Sequence, residues 1–137
     1  MEQALPLITI MGPTGVGKTD LAISLSKLIS SEIISVDSVQ VYKGMDIGSG
    51  KPSKGILDRY PHKLVSFVDP WKTYSTGLFL LDVTREIDLC DKSNKVPLLA
   101  GGTMLYFKSL LSGISRMPKA NQEVRKEISD QAKEYGW

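Results

Sequence analysis

The chain has 137 residues, 42% of them apolar and 23% charged, with a net charge of +2. These values describe one soluble globular domain with a real core, too short for two, and a charge too small to argue for nucleic acid by itself. One cysteine, Cys90, excludes an internal disulfide, and with one histidine, His62, it excludes a Cys/His zinc site on this chain. The start "MEQALPLITIM" lacks the basic residues and long apolar run of a signal peptide, and no run approaches membrane-spanning length. A cytoplasmic protein with no membrane partner is the expectation.

In chain order, Leu7 to Met11 is a compact apolar run entering a glycine loop, which predicts a buried strand. Leu21, Leu25, Leu28 and Ile29 then recur at the spacing of one helix face. Ile33 to Val36 predicts a second strand, and Lys63 to Val68 a third, stopped by Asp69-Pro70. Ser75 caps the next helix, whose stripe is Phe79, Leu80, Val83 and Ile87, with Cys90 packed as a small hydrophobe. Val96 to Ala100 predicts a fourth strand ending at Gly101-Gly102. A helix with Leu105, Leu110 and Leu111 follows, and Tyr106, Phe107 and these leucines are expected in the core, with Gly113 as the stop. After Pro118 a last helix is capped by Asn121 and carries Val124 and Ile128.

The alternation predicts an α/β fold, a parallel sheet flanked by helices on both faces with right-handed crossovers. Ligands gather at the carboxyl ends of such strands. Three polar clusters follow strand ends, Gly12–Thr19, Asp37–Gln40 and Gly101–Thr103, and are expected to meet at one edge.

"GPTGVGKT" (Gly12, Pro13, Thr14, Gly15, Val16, Gly17, Lys18, Thr19) matches the phosphate-loop pattern between a strand and a helix. Glycines let successive backbone N–H groups point inward, and with the helix N-terminus they favour an anion. Lys18 adds charge against the outer phosphates, and the Thr19 hydroxyl suits Mg²⁺. The loop alone does not choose among polyphosphates, nor does it make a kinase.

Asp37 follows "IISV" and is expected near those phosphates. Three roles stand open for it there: a water-mediated hold on Mg²⁺, a base for a nucleophile, or a turn cap with Ser38 beside it. Gln40 carries the donor and acceptor that read a base edge, and Tyr42 either stacks on a base or packs. Lys43, Lys51, Lys54, Arg59 and Lys63, against Asp46 and Asp58, form a basic stretch whose plain reading is a solvated loop. His62 is read as a packed or surface residue.

Beyond this point the residues resemble a family. "GPTGVGKT", "DSVQVYKGMDIGSGKP", "PHKLVSFVDP" with "YS", and "VPLLAGGTMLYFKSLLSG" are similar to motifs of the tRNA dimethylallyltransferases, also called tRNA isopentenyltransferases, in the same order and spacing, and "EVR" at Glu123–Arg125 fits too. The resemblance implies a P-loop NTPase-like fold. It implies transfer of a dimethylallyl group from dimethylallyl diphosphate to the exocyclic amine of the adenosine 3′ of the anticodon in tRNA. The phosphate loop would then grip the diphosphate leaving group with Mg²⁺ as cofactor, and Asp37 would take a proton from the amine. Thr103 would bond the donor near its bridging oxygen or phosphate. Asp37, Ser38, Val39, Gln40 and Thr103 would seat the target nucleotide, and Arg125 would contact tRNA.

Family enzymes are considerably longer. Residues 1–137 are therefore expected to be the N-terminal part of the catalytic domain, without its C-terminal part or the helical tRNA-gripping region, and inactive alone; a monomer is expected for the intact enzyme. Gly50 is a second departure, because bacterial tRNA enzymes often carry a bulkier residue there while adenylate isopentenyltransferases can show glycine. A free-nucleotide isopentenyltransferase and a small-molecule phosphate-loop kinase are the competing readings.

Overall fold

The computed structural model describes residues 6–115 and 121–137. Its elements are β1 (Ile8–Met11), α1 (Lys18–Ser26), β2 (Ser31–Val36), α2 (Lys54–Arg59), β3 (His62–Lys63), α3 (Thr76–Lys92), β4 (Val96–Gly101), α4 (Met104–Ser112) and α5 (Gln122–Tyr135). The four strands pair in parallel in the order β1-β4-β2-β3. The α/β expectation holds, with β4 lying between β1 and β2, both made earlier in the chain.

Alternation along the central strands assigns the two faces. Ile34, Val36 and Leu99 turn to one side and pack with Phe79, Val83 and Cys90 of α3 and with Tyr106 and Phe107 of α4. Ile10, Ile33 and Leu98 turn to the other and pack with Ala22 and Ile23 of α1. Phe79 stacks on Tyr106 with ring centroids 4.2 Å apart. Both central strands are thus covered on both faces, which is why they read as near-continuous apolar runs.

Caps behave as their residue types predict. Ser75 accepts from the Leu78 N–H at 3.3 Å, and Asn121 accepts from the Glu123 N–H at 2.8 Å. Helix α3 ends with Asn94 at φ +53°. The Lys95 N–H bonds the Cys90 carbonyl and the Asn94 N–H the Asp91 carbonyl, the paired bonds that close a helix on a left-handed residue. That turn leads straight into β4.

Three expectations need correction. The third strand does not run from Lys63 to Val68. It stops after Lys63 because Leu64 and Ser66 adopt φ of +60° and +53°. The segment instead bonds the 40–43 loop, through Ser66 N–H to the Gln40 carbonyl and Phe67 N–H to the Val41 carbonyl. The fully buried residues of α1 are Ala22 and Ile23, and of the expected leucines only Leu25 packs, partly buried, against their cluster. Leu21 and Leu28 are exposed, because the helix ends at Ser26 and small Ala22 lets its backbone approach the sheet. On α4, Tyr106 and Phe107 are core as expected, but Leu105 and Leu111 face outward. Pro118 lies outside the described residues, and α5 has no buried residue. No described helix is long and apolar enough to cross a membrane.

Candidate functional site: two cavities sharing Asp37

The strand order determines what meets at the carboxyl edge. Because β4 pairs with both β1 and β2, Gly101 stands level with Met11 on one side and Val36 on the other. The three polar clusters that follow these strands are therefore neighbours. Gly101 is required there, since a Cβ on it would overlap the backbone of Val36. The next residues turn the chain across the strand ends, and the Thr103 N–H bonds the Val36 carbonyl at 3.3 Å.

The loop from Gly12 to Thr19 crosses from β1 into α1. Gly15 and Gly17 take φ of +84° and +90°, backbone that side chains rarely adopt, and Gly17 stands at the N-cap of α1. Nothing but backbone caps this helix end, which leaves its first N–H groups for an anion. Lys18 donates through Nζ to the Pro13 carbonyl, so its ammonium lies over the loop. A cleft of about 320 Å³ opens here, lined by Thr14, Gly15, Gly17, Lys18 and Thr19 on one side and by Ser35, Asp37, Gln40, Gly50 and His62 on the other.

Asp37 directly follows β2 and anchors the turn there. Its Oδ1 accepts from the Val39 N–H at 2.8 Å and the Gln40 N–H at 3.1 Å. Turn capping is thus one of its roles, and among the described residues Oδ2 makes no hydrogen bond. Gln40 is held at both ends, its Oε1 accepting from the Ser35 hydroxyl at 3.2 Å and its Nε2 donating to the Gly50 carbonyl at 3.1 Å. With both amide ends bonded within the chain, Gln40 braces the loop. Gly50 itself has φ +67°. Its backbone conformation accounts for the glycine without reference to a substrate.

A second cavity, of about 300 Å³, lies beside the first and shares Thr14, Asp37 and Gly102 with it. Its other lining residues include Ser38, Val39 and Thr103. Thr103 Oγ1 accepts from the Ser38 N–H at 3.0 Å, tying two strand ends that are far apart in sequence. Asp37 therefore faces both spaces, one walled by the phosphate loop and one by neutral polar groups. Arg125 is not brought to either; it stands in the first turn of α5 and lines neither cavity.

Some lining residues had no role in the sequence reading. Ser35 is the polar residue in an apolar strand and is buried at the cleft wall; its place in "IISV" was the available signal. His62 pairs with Ile33 across β2 and β3 and so lies on the cleft face. Its Nδ1 is 2.7 Å from the Tyr60 carbonyl, which only accepts, so Nδ1 carries the proton. Nε2 is buried and bonded to nothing among the described residues, and burial pushes the imidazole below the usual histidine range. The basic stretch is divided. The Lys51 ammonium is buried, donating to the Tyr42 carbonyl at 2.7 Å and to Asp46 at 2.8 Å, and Lys43 pairs with Asp69. Lys54, Arg59 and Lys63 are exposed.

A glycine loop between the first strand and a helix, with an acidic residue closing the next strand of a parallel sheet, defines a phosphate-loop protein of the P-loop NTPase-like class. Within that class the chain belongs to the IPP transferase family, whose profile matches residues 40–137; a profile described as isopentenyl transferase matches residues 5–61. A tRNA dimethylallyltransferase of Nitrosococcus oceani is 51% identical over 132 residues, covering 96% of this chain and 42% of its own length. The full-length tRNA isopentenylpyrophosphate transferase of Bacillus halodurans superposes with a TM-score of 0.78 at 35% identity, over 98% of this chain and 44% of that one. A eukaryotic dimethylallyltransferase acting on tRNA superposes with a TM-score of 0.76 at 30% identity, over 85% of this chain and 30% of that one. The chain thus spans less than half the length of these relatives.

Proposed function

We propose that this chain is the N-terminal part of the catalytic domain of a tRNA dimethylallyltransferase, and that the two cavities receive the two substrates. The observation that carries this reading is Asp37, which faces both the phosphate-loop cleft and the neutral polar cavity. The diphosphate of dimethylallyl diphosphate would lie on the loop, held by backbone N–H groups and Lys18. The adenine would enter the second cavity, against Ser38, Val39 and Thr103.

In the reaction the C–O bond to the diphosphate breaks, its electron pair leaving with the diphosphate oxygen, as the exocyclic nitrogen bonds the same carbon. Lys18 and the loop amides offset the charge that grows on the leaving group. The adenine amine is a weak nucleophile because its lone pair is delocalised, and its proton passes to the Asp37 carboxylate. Hydrogen bonds from the Val39 and Gln40 amides hold that carboxylate by Oδ1, leaving Oδ2 to face the amine. The oxygen donors present suit Mg²⁺, with the Thr19 hydroxyl as the protein ligand beside diphosphate oxygens and water. When bound, the ion supplies further positive charge against the leaving group.

The relatives named for action on tRNA support the choice of acceptor, as do the neutral hydrogen-bonding groups of the second cavity. The test supplies the intact protein with labelled dimethylallyl diphosphate and either tRNA or free adenosine nucleotides. Label on tRNA is expected. Label on free nucleotide alone would replace this reading with a free-nucleotide isopentenyltransferase, and release of ADP from ATP without prenyl product would replace it with a kinase.

A further inference from the structure

The loop from Gly44 to Gly48 carries a residue that nothing in the chemistry above uses. Ile47 is 99% exposed. Other apolar side chains of this chain are exposed too, but Ile47 differs from them in setting. It lines a small cavity together with Val39, Met45, Asp46, Gly48 and Ser49, and that cavity shares Val39, Gly48 and Ser49 with the acceptor cavity of Asp37 and Thr103. Val39 and Met45, also exposed, extend the apolar surface between Ile47 and the acceptor cavity.

The loop is braced. The buried Lys51 ammonium bonds the Tyr42 carbonyl on one flank and the Asp46 carboxylate next to Ile47. The Ser49 hydroxyl donates to the Met45 carbonyl at 2.7 Å, closing the loop across its base. Its two end glycines take φ of +75° and +73°, which turn the chain out and back. A buried lysine spent on holding a fully exposed isoleucine outward has no explanation in the packing of this chain.

We infer that Ile47 is an apolar wedge that enters the base stack of the RNA and fills the space left when the target adenine swings into the acceptor cavity. This rests on the reading of that cavity as the adenine site. A base must leave its stack to be modified, and the cost is lowered when an apolar side chain takes its place between the neighbours. Val39 and Met45 continue the apolar contact toward the cavity mouth, so the vacated step and the swung-out base are served by one continuous surface.

The experiment uses the intact protein with a stem-loop RNA and with an unstructured oligonucleotide of the same loop sequence. On the stem-loop, Ile47→Ala is expected to lower kcat/KM roughly tenfold or more, the scale of the apolar burial lost when an isoleucine is cut back to alanine. Ile47→Met keeps most of the activity, and Ile47→Lys loses it although it adds a charge that attracts phosphate. On the oligonucleotide, where less stacking must be broken, wild type and Ile47→Ala should differ less than threefold. Equal activity on the stem-loop, equal loss on both substrates, or a gain with Ile47→Lys would overturn the wedge. A fall in thermal midpoint for Ile47→Ala would overturn it as well, since Ile47 would then be packed in the whole protein. A wild-type protein that prenylates neither RNA removes the adenine site itself, and the wedge with it; that failure is told apart by the wild type being inactive.

Discussion

The phosphate-loop wall of the first cleft is one uninterrupted stretch, Gly12 to Thr19, made mainly of backbone and one helix end. The neighbouring cavity, proposed for the acceptor, is assembled from the ends of three strands, with Ser38 and Thr103 bonded to one another across the sheet edge. A motif made of backbone tolerates whatever carries the phosphate, so it says little about purpose. A cavity made of side chains from distant segments can discriminate among acceptors, and under the proposed function its chemistry carries the choice of substrate.

The largest effect should come at the strand end that brings the two regions together. Gly101→Ala places a Cβ into the Val36 backbone and forces β2 and β4 apart. A loss at or above the upper end of the ~1–3 kcal/mol typical of overpacking is expected, measured as a fall in thermal midpoint and soluble yield. Normal stability would mean that the strand ends are not as closely set as described.

Asp37→Asn in the intact protein tests the shared residue by its chemistry. A fall in kcat of about 10²–10⁴ is expected from loss of the proton acceptor, with donor affinity by calorimetry little changed. An unaltered kcat would leave Asp37 as a turn cap alone. Lys18→Ala belongs to the donor side. Losing a charge-assisted hydrogen bond of about 1.5–3 kcal/mol should weaken dimethylallyl diphosphate binding roughly 10- to 100-fold while RNA affinity stays the same. Thr103→Val sharpens the division most directly. It removes the acceptor of the Ser38 N–H, and a few-fold rise in KM for RNA is expected, of the order of the ~1 kcal/mol net worth of a hydrogen bond. A matching loss of donor affinity would show that Thr103 serves both sides.

The smallest effect concerns His62 at the cleft wall. Burial keeps it neutral in the folded chain, so below pH ~6.5 the unfolded chain binds a proton that the folded one does not. Stability should therefore decline as pH falls through that range, and His62→Gln should flatten the decline. Identical pH profiles by thermal denaturation would place the imidazole in contact with solvent.

Legibility followed the same division. The phosphate loop was readable because its spacing encodes its conformation, and the meeting of three polar clusters followed from strand alternation alone. Asp37 remained open among three roles, because a turn cap and a free carboxylate oxygen look the same in a sequence; the structure gives Oδ1 to the turn and leaves Oδ2. On α1 the large residues are only a partial guide: Leu25 packs against the core, but Leu21 and Leu28 are exposed while Ala22 is buried for being small. The third strand was overextended because nothing in "KLVSFV" announces left-handed backbone at Leu64 and Ser66. Lys51 counted as surface charge, and only tertiary structure reveals it as a buried brace.

The position of β4 also has a temporal consequence. Ile8 finds its ladder partner in Leu98, and β1 and β2 have no contact with each other in the sheet. On a growing chain the phosphate loop is made well before β4, yet its cleft has no far wall until β4 inserts between two waiting strands. Closing so long a loop is slow relative to local helix formation. Until then both flanking strands present unpaired edges, so the nascent chain passes through a sticky interval that ends with the step that completes the site.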